Sequence, residues 1–179
     1  MRLAGLAALA CLLAGTATAD PSVPVPEGYR QDNYRAPVPD SVPGAAVLHV
    51  SEVQAVLAQG GALLVDVLPA PRRPDAMRPG SPWLPQPHRT LPGALWWPEV
   101  GRGALPPEVE ARFAARLQAL TGGDPGRLVV FFCLNDCWMS WNAARRAAAL
   151  GRQAGWFPEG VDGWTAAGLP TEVAEAEAE

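Results

Sequence analysis

Two stretches of the chain are apolar at consecutive positions: Ala62-Leu63-Leu64-Val65-Asp66-Val67, broken only by one acid, and Leu128 to Phe132. Strands covered on both faces read this way, which predicts buried strands of a parallel sheet. Ala45 to Val50, Ala94 to Trp97 and Trp156-Phe157 are shorter strand candidates. Helical periodicity fills the intervals. Ser51 followed by Gln54 is a capping-box signature for a helix over Glu52 to Ala58, stopped by Gly60-Gly61. Pro106-Pro107 opens a helix to about Leu120, with Val109, Phe113, Leu117 and Leu120 as its apolar stripe and Gly122-Gly123 after it. A third helix starts between Asp136 and Ser140 and runs to Leu150 before Gly151, and Asp162 to Ala167 forms a last helical turn. Strands alternating with helices predict one α/β domain over residues 45–170, a parallel sheet of about five strands flanked by helices.

The flanks follow different patterns. Arg2, the apolar run Leu3 to Leu13 and Ala17-Thr18-Ala19 have the form of a cleavable signal peptide over residues 1–19, with Asp20 as the mature N-terminus. The run is too short to span a bilayer as a helix. The expectation is therefore a periplasmic or secreted protein with no membrane attachment after cleavage. Residues 20–44 carry prolines 21, 24, 26, 37, 39 and 43 and read as an extended leader, which Tyr29 and Tyr34 would pin to the domain. Prolines 69, 71, 74, 79, 82, 85, 87 and 92 stiffen a long connection after the first apolar run. Connections of that length usually serve a site or a partner. Residues 171–179 form an acidic tail, expected to be disordered.

Composition narrows the function. The net charge is −4 and all 14 basic side chains are arginine, with no basic face or aromatic–basic interleaving, so nucleic acid is not the expected partner. Signal cleavage would remove Cys11 and leave Cys133 and Cys137. Two cysteines this close enclose too small a loop to staple a fold, even in an oxidising compartment, and point to chemistry.

Cys133 sits at the end of the strongest strand, where sheets of this type place reactive groups. Leu134, Asn135, Asp136, Trp138, Met139 and Ser140 form the expected loop and helix start around the pair. Unpaired amides and the helix dipole there favour an anionic sulfur, persulfide or other anion; Asp136 opposes it. The expectation makes Cys133 the nucleophile or sulfur carrier and Cys137 its resolving thiol. The spacing is not the Cys-x-x-Cys of thioredoxins, no histidine follows Cys137 to signal haem attachment, and Met139 stands where a Cys-x5-Arg phosphatase loop needs arginine. Zinc would need ligands beyond His49 and His88, which are distant and read as strand and loop residues. Copper(I) held by Cys133, Cys137 and Met139 is the alternative, as are two merely structural thiols. Asp66 reads as a strand-end tie or a supporting acid, Trp141 as a shield beside the loop, and Arg145 and Arg146 as a solvated helix face.

These residues resemble the rhodanese superfamily at separated places. Leu63 to Val67 is similar to its second strand with terminal aspartate, and Leu91-Pro92-Gly93-Ala94 to the motif before its third. Val129 to Cys133 resembles the strand that delivers the catalytic cysteine, with Ser140 and Ala143-Ala144 on the helix behind. Gly160-Val161-Asp162-Gly163-Trp164 with Ala167-Gly168-Leu169-Pro170 resembles the closing segment. Cys133 to Trp138, a Cys-x-x-x-Cys-Trp motif, resembles an exported bacterial subfamily associated with pyrroloquinoline-quinone-dependent alcohol catabolism. The resemblance implies a rhodanese-like fold and an accessory role beside a periplasmic dehydrogenase or redox partner. Leu68 stands where rhodaneses usually carry arginine, and the loop holds no cation.

The expected function is sulfur transfer or dithiol–disulfide exchange, with no cofactor. The alternative is a non-catalytic binding module for copper(I), a quinone or a partner enzyme.

Overall fold

The two apolar runs form the central pair of the sheet. In the computed structural model, which describes residues 22–177, β2 (Ala62–Asp66) and β5 (Leu128–Phe132) pair in parallel along their whole length, from Ala62 opposite Leu128 to Asp66 opposite Phe132. β6 (Ala154–Phe157) joins the other side of β5, and β1 (Ala46–Val47) and β4 (Leu95–Trp96) close the edges. The order is β1-β6-β5-β2-β4, every pair parallel. The expected signal segment lies outside the described residues.

Four helices cover the sheet, two to a face, and the side-chain alternation of β5 decides which. Val129 and Phe131 pack toward Phe113 and Leu117 of α2 (Pro107–Leu120) and the alanine face of α3 (Trp138–Ala149). Val130 and Phe132 pack toward Val53 of α1 (Val50–Ala58) and Trp164 of α4 (Gly160–Ala166). Both faces of the strand are thus dry, which is why its sequence shows no polar alternation. α1 begins before the predicted start. Its cap comes from the Glu52 carboxylate, which accepts the His49 amide at 2.8 Å, and not from Ser51. Among the described residues, no helix is long and apolar enough to cross a membrane.

Three expectations change. The acidic tail, predicted to be disordered, is ordered through Glu177. β7 (Glu172–Val173) pairs antiparallel with β3 (Arg89–Thr90), and the Glu177 amide donates to the Trp96 carbonyl at 2.9 Å. Backbone pairing to an edge left open by the short β4 fixes a segment that composition alone reads as solvated. Arg146, predicted to face solvent, is 3% exposed. Its guanidinium donates to the carbonyls of Val100, Arg102 and Gly103 at 2.9–3.1 Å and lies over the Tyr29 ring. Arg145 likewise donates to the carbonyls of Pro26 and Gly28 at 2.8 and 2.7 Å.

These arginines hold the proline-rich leader. Residues 22–44 form no helix or extended strand but run as a strap across α3. Asn142 exchanges two 2.9 Å hydrogen bonds with the backbone of Arg30, and the indoles of Trp138 and Trp141 donate to the carbonyls of Pro37 and Ser41. Carbonyls freed by proline-rich, non-helical backbone need donors when covered, and α3 supplies them.

Candidate functional site

Cys133 follows β5 directly, and its carbonyl is tied down from the opposite side of the turn. The Val161 amide donates to it at 2.9 Å. Gly160 makes that approach with φ +53°; a Cβ there would come within 2.2 Å of the same oxygen. A glycine is required on both counts. Asn135 donates its amide to Asp162, Asp136 turns the chain at φ +53°, and the strap closes the loop from above. There the Ala36 amide donates to the Asp136 carbonyl at 3.1 Å and the Trp138 amide to the Tyr34 carbonyl at 2.8 Å.

This loop brings the two sulfurs to 2.6 Å. Cys133 is 0% exposed and Cys137 2%, and only Cys137 lines a cavity. Cys137 also occupies the N-cap position of α3, next to the unpaired amides of the first turn. Its pKa is lowered from 9.0 to about 7. The hydrogen bond from the Cys133 thiol is the main cause, joined by the amides of Met139, Leu134 and Ser140 and opposed by burial. Cys133 is raised well above the ordinary thiol range by the hydrogen bond it gives to Cys137, by burial and by the neighbouring Cys137 charge; only the Leu134 amide opposes. The anion-stabilising ring expected around Cys133 is therefore centred on Cys137. The carboxylate that bears on Cys133 is Asp66, not Asp136.

Asp66 is fully buried at the end of β2 and accepts three hydrogen bonds: from the Leu68 amide at 2.9 Å, the Thr90 hydroxyl at 2.6 Å and His88 Nε2 at 2.8 Å. His88 stacks on Trp96 with ring centroids 3.9 Å apart and opens onto the same cavity as Cys137. The cavity holds about 830 Å³, within the range of small-molecule sites of roughly 300–1,000 Å³.

Of the residues singled out in the sequence, Cys137, Leu134 and Met139 reach this cavity, and the Cys133 sulfur lies 2.6 Å from that of Cys137. Ser140 donates its hydroxyl to the Cys137 carbonyl at 2.9 Å and accepts from the Trp156 indole at 3.1 Å, so it holds the helix start. Trp138 and Trp141 bind the strap. Asn135 and Asp136 shape the turn. Sequence reasoning missed His88 as the partner of Asp66, and Tyr34, Arg35 and Arg89 as cavity wall. One signal was available for the first: a strand-end carboxylate buried in a parallel sheet needs donors, and His88 and Thr90 are the polar residues just before Leu91-Pro92-Gly93.

The sequence matches no protein-family model and no curated protein. Among solved structures, a variant of EanB in complex with hercynine is similar over 78% of this chain and 34% of its own, at 19% identity and a TM-score of 0.50. Thiosulfate sulfurtransferase from Pseudomonas aeruginosa aligns with 74% of this chain and 21% of its own, at 23% identity and a TM-score of 0.49. A protein from Bacillus halodurans aligns over 72% and 77%, at 16% identity and a TM-score of 0.47. The chain thus spans about a fifth of the sulfurtransferase and a third of the EanB chain. The likeness to the EanB variant is one of fold alone: an α/β domain, here with a five-stranded parallel sheet.

Proposed function

We propose that the chain works through its dithiol, exchanging two electrons with a disulfide substrate, with Cys137 attacking and Cys133 resolving. One observation carries this reading: the sulfurs lie 2.6 Å apart, and of the two only Cys137 lines the cavity. This proposal exchanges the roles expected from the motif. Cys137 has the lowered pKa, and Cys133, protonated and covered, is poised to act second.

The steps balance within the pair. The Cys137 thiolate attacks one sulfur of the substrate, the substrate S–S bond breaks, and the first leaving thiolate takes a proton. Cys133 then gives up its proton and attacks the Cys137 sulfur. The second substrate thiol departs and a Cys133–Cys137 disulfide remains, two electrons having passed to the substrate. Sulfur transfer is the neighbouring reaction on the same atoms, with Cys137 accepting a sulfane sulfur as a persulfide. The sequence resemblance supports placing this chemistry in an exported accessory to quinone-dependent alcohol oxidation, beside a periplasmic dehydrogenase or redox partner.

Mass spectrometry of the reduced protein after exposure to a small disulfide tests the reading. A loss of two hydrogens in wild type, a trapped mixed disulfide on Cys137 in Cys133→Ser, and no adduct on Cys133 in Cys137→Ser are expected. Adducts forming on Cys133 in Cys137→Ser as fast as on Cys137 in Cys133→Ser would overturn the assignment of roles. A reduced protein inert to disulfides and sulfane donors, yet binding one copper(I), would replace the reading with metal binding by Cys133, Cys137 and Met139.

A further inference from the structure

The cavity above Cys137 has a charge pattern of its own. Arg35, Arg89 and Arg102 line it, and no aspartate or glutamate side chain does. Arg102 is neutralised by Glu99. Arg35 and Arg89 make no ion pair among the described residues; Arg89 donates instead to the hydroxyl of Thr171 at 2.9 Å and to its carbonyl. Neither comes from the cysteine loop. Arg35 belongs to the strap, bridged through its backbone to Cys137 itself, and Arg89 to β3. Two cations without carboxylate partners therefore share a concave space with a thiol whose anion is favoured.

Beside Tyr34, Gln86 and His88, the rest of the wall is mostly apolar. Leu68, Pro69, Pro71 and Pro87 form one side, stiffened by the prolines. A bare inorganic oxyanion would leave most of the roughly 830 Å³ empty and the apolar wall without a partner. A folded protein's disulfide meets the opposite obstacle, because Cys137 lines the cavity with only 2% of its surface exposed.

Resting on the exchange reading, we infer that the substrate of Cys137 is a low-molecular-weight organic disulfide bearing carboxylates, its carbon body against the proline wall and its anions toward Arg35 and Arg89. The cations raise its local concentration and orient it, while the amides of Leu134, Met139 and Ser140 are left to the sulfur. In the first step one substrate sulfur bonds to Cys137 and its S–S bond breaks, and the carboxylate-bearing thiolate leaves past the arginines.

Three disulfides of similar size and different charge provide the test: 3,3′-dithiodipropionate with two carboxylates, bis(2-hydroxyethyl) disulfide with none, and cystamine with two ammonium groups. Wild type should react with the first at least about tenfold faster than with cystamine at low ionic strength, with the neutral compound between. Arg35→Gln, a change at an exposed side chain, should shrink that ratio at least about threefold, and Arg89→Gln should do the same. Equal rates with all three compounds would overturn the inference and leave the exchange reading standing. A second readout needs no exchange. Alkylation of Cys137 by iodoacetate relative to iodoacetamide should exceed the ratio for free cysteine and fall in Arg35→Gln. Charge selectivity in alkylation with no reaction toward any disulfide would remove the exchange reading and the disulfide substrate with it. A ratio equal to that of free cysteine would remove the anion preference.

Discussion

The chemistry of this chain turns on which of two touching sulfurs carries the negative charge. Position along the strand favours Cys133; the surroundings favour Cys137, because the Cys133 thiol beside it and the amides of Met139, Leu134 and Ser140 lower its pKa. A lowered pKa means that the thiolate fraction, and with it the alkylation rate at Cys137, should rise through a midpoint near pH 7 instead of near 9. Cys133→Ala removes the main stabilising hydrogen bond and should move that midpoint upward, measured as iodoacetamide rate against pH. Asp66 poses a different residue-scale problem. Truncating it leaves the Leu68 amide, the Thr90 hydroxyl and His88 without their acceptor at a position where Asp66 is fully buried. Asp66→Ala should cost about 3 kcal/mol in urea denaturation. That the sequence showed Cys133, Cys137 and Asp66 but not their assignments has a physical reason. A residue's type and place on a strand are local, whereas its proton donors come from Met139, from Ser140 and from a histidine 22 positions away.

Among the elements, the long apolar strands and the amphipathic α2 were legible because burial writes itself directly into their composition. β1 and β4 came out shorter than predicted, and β3 and β7 were not visible at all, since two-residue strands separated by most of a helix and a sheet leave no local period. α3 was placed well but its surface was misread. Arginines on a helix usually face water, yet Arg145 and Arg146 meet bare carbonyls of the strap and of the segment before α2. Arg146→Leu should destabilise by about 3 kcal/mol, because three carbonyls lose their donor in a covered site. At the other end of the loop, Gly160→Ala combines a left-handed backbone with a backbone collision at Cys133. A loss of at least about 2 kcal/mol in stability is expected, together with slower Cys137 alkylation as the sulfurs shift.

At the scale of the molecule, a parallel sheet of about five strands and its four helices could be anticipated, while the order of the strands and the enclosure of the site could not. The cavity is assembled from the strap, the proline-rich connection, β3 and the start of α3, segments that meet only in the finished fold. Deleting residues 22–44 removes the acceptors of both the Trp138 and Trp141 indoles and uncovers α3. Tryptophan emission should shift to the red and Tm should fall, with the sheet retained in far-ultraviolet circular dichroism. Unchanged emission would mean that the strap is not what shields these rings.

The strap also separates two lengths of chain that are easily confused. A fragment cut at Ala45, one residue before the first strand, would keep every layer of the architecture and both sulfurs. It would lack Tyr34 and Arg35, and the chamber over Cys137 would become an open shelf. The shortest chain that makes the architecture is not the shortest that makes the reaction vessel.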